Sequence, residues 1–119
     1  MQTSNRKTGD KGEDMALAYL ILNGFVLLER NWRHGRCEID LIMEEKDTIV
    51  FVEVKARSTE AFGWPEAAVK KSKQANIIKA AQEYLYLKQP NKELRFDIVS
   101  IILKKDEPDI YHIRDAFVG

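Results

Sequence analysis

Cysteine is almost absent from this chain. Cys37 is the only one among 119 residues, so no disulfide can form within it. A disulfide-stapled secreted scaffold is excluded, and a reducing cytoplasm is the expected setting. Histidine is nearly as scarce: His34 and His112 have no partner at zinc-ligand spacing. No long hydrophobic run occurs. The most apolar stretch, Leu17 to Leu28, is interrupted by Asn23 and Gly24 and is far too short to span a membrane. The polar opening of the chain has no apolar core of a signal peptide, so no membrane partner is expected. Repeats, low-complexity tracts and Pro/Gly/Ser-rich linkers are also missing, which leaves one domain over residues 1–119 with a loose terminus at 1–8.

There is no net charge either, since 19 Lys and Arg balance 19 Asp and Glu. The charges are nonetheless segregated. Residues 37–54 hold six acidic side chains against one basic, and residues 55–79 hold six basic against two acidic. An acidic centre beside a phosphate-contacting surface has this pattern, as does chance in a short, highly charged chain.

The hydrophobic periodicity predicts the order α-β-β-β-α-β-β, an α/β fold with a helix on each face of a mixed sheet. Asp10 and Glu13 have capping-box spacing ahead of a helix that should end at Asn23-Gly24. Strands are expected over Phe25 to Arg33, Glu38 to Met43 and Thr48 to Lys55, with a turn around residues 44–47. Ile49 to Val54 is apolar on both faces, as in a central strand. Arg57 to Trp64 reads as a loop. Pro65 suits the start of a second helix to about Lys88, with Val69, Ile77, Ala80, Ala81, Tyr84 and Leu87 inward. A strand over Leu94 to Leu103 and a short edge strand over Ile110 to Ile113 complete the set.

Alternation along a strand turns Glu53 and Lys55 to one face, beside Ile49 and Phe51. Glu38, Asp40 and Ile42 share a face of the preceding strand. A turn near residues 45–47 brings Asp40 opposite Glu53, and directly opposed side chains have Cβ atoms about 5 Å apart. Two carboxylates opposed on a buried sheet destabilise it unless a cation lies between them. Lys55 supplies one positive charge, and Mg2+ or Mn2+ would supply the rest. Glu13, on the inward face of the first helix, is a candidate third ligand. Two acids, an amine and a divalent cation suit phosphodiester hydrolysis.

Several blocks together resemble the bacterial YraN-like family: Gly9-x-x-Gly12-Glu13, Arg30-Asn31-Trp32-Arg33, Glu38-Ile39-Asp40-Leu41-Ile42, Phe51-Val52-Glu53-Val54-Lys55-x-Arg57 and Arg95-Phe96-Asp97. That family belongs to the PD-(D/E)xK nuclease superfamily and is distantly similar to Holliday-junction resolvases. The resemblance implies a restriction-endonuclease-like three-layer α-β-α fold and a metal-dependent DNA endonuclease in repair or recombination. It implies Asp40, Glu53 and Glu13 as metal ligands and Lys55 as catalytic stabiliser. DNA, branched or damaged, would be the partner, and a homodimer is an expected assembly by analogy. Cys37 departs from the family's usual glycine without removing a ligand.

Each residue also has a plainer reading. Glu13 could simply cap its helix, Asp40 could flank a turn, and Glu53 with Lys55 could form a strand salt bridge. Arg33, Arg36, Arg57 and Lys73 are candidate nucleic-acid contacts or ordinary solvated cations. Phe62 and Trp64 could stack on bases or pack on the core. Asp97 reads as a structural partner of Arg95 or of a backbone amide. A non-catalytic nucleic-acid-binding module with the same fold is the alternative function, and a protein-interaction domain is a third.

Overall fold

A computed structural model describes residues 3–58 and 70–118, with side chains from Asp10 onward. The elements run α1 (Thr3–Leu22), β1 (Val26–His34), β2 (Cys37–Glu45), β3 (Thr48–Arg57), α2 (Lys71–Lys88), β4 (Glu93–Ile102) and β5 (Asp109–Phe117). This is the expected α-β-β-β-α-β-β order. The five strands form one mixed sheet in sequence order. Only β3 and β4 are parallel, because α2 carries the chain back between them; the other three pairs are antiparallel.

The two sheet faces bury separate cores. Ile42, Ile49, Phe51, Phe96 and Ile98 pack with Ile77, Ala80, Ala81 and Tyr84 of α2. Leu41, Met43, Val50, Val52, Val99 and Ile101 pack with Ala16 and Leu20 of α1 and with Phe25. The central strands β3 and β4 are therefore apolar on both sides. Each fully buried side chain of this size contributes on the order of 2 kcal/mol.

Two glycines set the position of α1. Gly24, at φ +92°, ends the helix, as its Asn23-Gly24 sequence predicts. The Phe25 amide donates to the Leu20 carbonyl at 3.0 Å and the Gly24 amide to Ile21 at 3.0 Å, closing a Schellman motif. Gly12 faces β3 so closely that a Cβ there would lie 2.3 Å from Ala56 Cβ.

Several expectations are corrected. The helix begins at Thr3 and not at Asp10, so residues 3–8 are helical and Asp10 and Glu13 lie inside the helix. Capping-box spacing is also the spacing of neighbours on a continuing helix, and that is what it marks here. Lys70 is extended, at φ −73° and ψ 159°, so α2 starts at Lys71 and does not run unbroken from Pro65. Pro65, Val69, Phe62 and Trp64 lie outside the described residues. Leu87 is 59% exposed and not inward, because the last turn of α2 turns Leu85 to the core instead. Arg57 ends β3 as a buried residue and is not the first of a loop. β5 runs on to Phe117, whose ring stacks on Phe96 at 5.0 Å.

Candidate functional site

The site lies where β2 parts from β3. The last paired positions are Leu41 and Val52, so the next step along each strand is Asp40 and Glu53. The expected shared face of Asp40 and Ile42 does not hold as simple alternation. Ile39 and Ile42, three residues apart, both join the α2-side core, while Leu41 joins the α1-side core. Regular pleating is lost at Asp40, and its side chain replaces the missing ladder bond: the Val54 amide donates to Asp40 Oδ2 at 2.8 Å.

Glu53 is 7% exposed, held on the α2 side by its place after Phe51. Its Oε2 lies 3.4 Å from Lys73 Nζ on α2. Its Oε1 is buried, and among the described residues no group donates to it except the Asp40 carboxyl when that is protonated. Burial, followed by the charge of Glu53, pushes the Asp40 carboxyl up to about 7 against the opposing Val54 hydrogen bond. Burial also raises Glu53, and Lys73 only partly offsets it. A proton held on Asp40 is shared with Glu53 through a hydrogen bond between the two carboxyls; without it the pair is left with more acceptors than donors. Hard oxygen donors with spare acceptor capacity suit Mg2+ or Mn2+, which commonly take one or two carboxylates plus water and phosphate.

Glu13 approaches from the α1 side. Arg30 Nε donates to Glu13 Oε1 at 3.1 Å and Arg30 Nη2 to Asp14 Oδ1 at 2.7 Å. With its amide nitrogen turned inward, Asn31 donates to Glu13 Oε2 at 3.1 Å, from a backbone at φ 54°. Burial raises the Glu13 carboxyl, and the charge of Asp40 adds to the rise. Glu13 is therefore within electrostatic reach of the pair while tied to Arg30. Among the described residues no three acidic, histidine or cysteine groups meet at metal-ligating distances. Asp40 and Glu53 are brought together; Glu13 stands to one side.

Lys55 shares the face of Glu53 and is exposed, but Lys73 acts on Glu53 more strongly. Spacing along β3 pointed to the former and could not show the latter.

A model of the uncharacterised protein family UPF0102 matches residues 12–101 of this chain. Relatives named UPF0102 protein are similar over most of their length. The one from Christiangramia forsetii is 39% identical over 113 residues, covering 95% of each chain. The one from Syntrophus aciditrophicus is 45% identical over 116 residues, covering 97% of this chain and 91% of the relative. The one from Persephonella marina is 43% identical over 110 residues, covering 92% and 91%.

The chain belongs to the UPF0102 family. The expected YraN-like membership agrees with this. The matched part of the UPF0102 chain includes Glu13, Asp40, Glu53, Lys55 and Lys73. Among its described residues no helix is long and apolar enough to cross a membrane.

The candidate nucleic-acid contacts separate in this UPF0102 protein. Arg33 is 74% exposed, 3.6 Å from Glu38, and Arg36 is exposed in the β1–β2 turn. Lys73 is half-exposed at the carboxylate pair. Arg57 is only 9% exposed, at the end of β3.

A second polar cluster lies on the α1 side. Asp97 is fully buried and accepts from Arg95 Nε at 2.8 Å and from the Asp115 amide at 3.0 Å, the two kinds of partner expected for it. His112 Nε2 lies 2.8 Å from Asp97, and Tyr19 OH 3.2 Å from His112 Nδ1. A neutral imidazole protonated on Nε2 satisfies all three groups. Burial opposes the Asp97 charge, but hydrogen bonds from His112, Arg95 and Asp115 outweigh it and hold the carboxyl below its ordinary value.

Proposed function

We propose that this UPF0102 protein is an endonuclease that uses Mg2+ or Mn2+ to hydrolyse DNA phosphodiester bonds, working in the cytoplasm on intact, branched or damaged DNA. The observation that carries the reading is the pairing of half-buried Asp40 with buried Glu53, two carboxyls held together beside one ammonium. Asp40 and Glu53 would hold the cation, with Glu13 as a third carboxylate. A bound cation would supply Lewis acidity, making water a better nucleophile and offsetting charge on the phosphate. Water oxygen would bond to phosphorus and lose a proton to solvent as the bond to the departing sugar oxygen breaks, and that oxygen would take up one proton from solvent in return. Lys55 is the stabiliser of the phosphate charge. Arg33 and Arg36 contact neighbouring phosphates.

The test is incubation of single-stranded, duplex and four-way DNA with Mg2+ or Mn2+. Cleavage of at least one substrate, reduced at least about a hundredfold by Asp40→Ala, is expected. Equal products from wild type and variant would defeat the proposal. The tie between Glu13 and Arg30 favours a second reading, a non-catalytic nucleic-acid-binding module. Salt-sensitive DNA binding without metal-dependent cutting would select it.

A further inference from the structure

We infer that Lys73 is an exchangeable cation: it balances Glu53 in the metal-free protein and passes to the DNA phosphate when a divalent ion takes its place. The inference rests on the metal-dependent reading above and adds a residue and an order of events to it.

Three observations support it. Lys73 Nζ stands 3.4 Å from Glu53 Oε2 at the mouth of the pair, with its side chain 52% exposed while that of Glu53 is only 9% exposed. The amine can therefore leave towards water, whereas the carboxylate cannot follow. Among the described residues no group other than the Asp40 carboxyl can donate to the buried Glu53 Oε1, so once both acids are ionised one ammonium does not satisfy the pair. An ammonium and a dication on the same carboxylate repel each other, so filling Oε1 with a divalent ion weakens the hold on Lys73. Finally, Lys70, Lys71 and Lys73 cluster where α2 begins, and its first turn contains no acid. A released Lys73 thus enters a positive surface beside the acids, where a phosphodiester would lie.

Lys55 does not fit this role equally well. It is exposed, and its charge acts on Glu53 less than that of Lys73, which also reaches Asp40. We assign Lys55 to the phosphate throughout and Lys73 to the exchange.

The experiment is calorimetric titration of the full-length protein with MnCl2 in the absence of DNA. Lys73→Met should bind Mn2+ about fivefold more tightly than wild type, because no ammonium must be displaced. Lys73→Arg should stay within about twofold of wild type, and Lys55→Met should shift less than Lys73→Met. In a second measurement, Ca2+ should strengthen wild-type binding to a fluorescein-labelled duplex and strengthen binding by Lys73→Met much less. Wild type that binds Mn2+ with Lys73→Met no tighter overturns this inference alone. Wild type that binds no Mn2+ overturns the metal reading with it. Should Lys73→Met not fold, a Mn2+-soaked wild-type crystal decides: the Lys73 to Glu53 separation should open beyond about 4 Å, and a retained ion pair overturns the exchange.

Discussion

At Asp40 two opposed effects act on one side chain. The Val54 amide favours the carboxylate, while burial and Glu53 oppose it more strongly. Its folded-state value, about 7, exceeds the ordinary 3.8. The folded protein therefore binds this proton more tightly than the unfolded chain. The resulting stabilisation is fully present below about pH 4 and is lost as pH rises through 7. Asp40→Asn keeps an oxygen for the Val54 amide and removes the charge. It should raise metal-free stability at pH 8 by about 2 kcal/mol in urea denaturation, and flatten the loss of stability between about pH 4 and 7. Mn2+ should stabilise wild type and leave the variant unmoved; equal stabilisation of both would remove Asp40 from the site.

Asp97 shows the reverse sign. Its depressed carboxyl contributes stability above its unfolded value, and that contribution disappears as pH falls through the lower folded value. Asp97→Asn leaves Arg95 without its charge partner and gives His112 a weaker acceptor, and should cost about 3 kcal/mol at pH 7, measured in the same way. Asp97 was legible in the sequence because Arg95 lies two residues away on one strand face. Arg30 was not, because its tie to Glu13 joins residues 17 positions apart.

At the scale of elements, α1 meets β3 most tightly at Gly12 among the described glycines. Gly12 lets the helix approach Ala56, and a methyl group at residue 12 would have to push the two apart. Gly12→Ala gains up to about 1 kcal/mol in helix propensity but incurs about 1–3 kcal/mol of overpacking, so net destabilisation is expected. A double-mutant cycle with Ala56→Gly checks the cause: the pair should recover most of the loss, and independent effects would refute the contact. The same contact bears on function, because α1 carries Glu13 towards Asp40. Element order and the turn at residues 44–47 could be read from periodicity. The start of α1 and the length of β5 could not. Asp10 and Glu13 satisfy both a cap and a helix interior, and β5 is extended by burial of Phe117 against Phe96, a contact between distant strands.

Across the whole molecule, exposed cations come from separate elements: Arg33 and Arg36 on the β1–β2 hairpin, and Lys73 on α2 beside Glu53. Zero net charge therefore does not prevent local attraction of a polyanion. Arg33→Ala and Arg36→Ala should each weaken DNA binding and reduce the salt slope by about 1, with little change in melting temperature. Arg57→Ala should instead lower the melting temperature, since that side chain is buried. DNA affinities and thermal melts of the three variants separate the two classes, and an unchanged melt for Arg57→Ala would contradict a supporting role.

The sequence by itself determined what depends on neighbours along the chain. Alternation placed Glu53 beside Phe51, a short turn set Leu41 against Val52, and apolar positions on both faces made β3 central. Tertiary structure alone decided that Lys73 reaches Glu53, that Arg30 holds Glu13, and that Arg57 is buried. The physical reason is that periodicity specifies direction within an element. Distance between elements depends on how closely two faces pack, and here that distance is set by α1 at Gly12 and by the point where α2 begins.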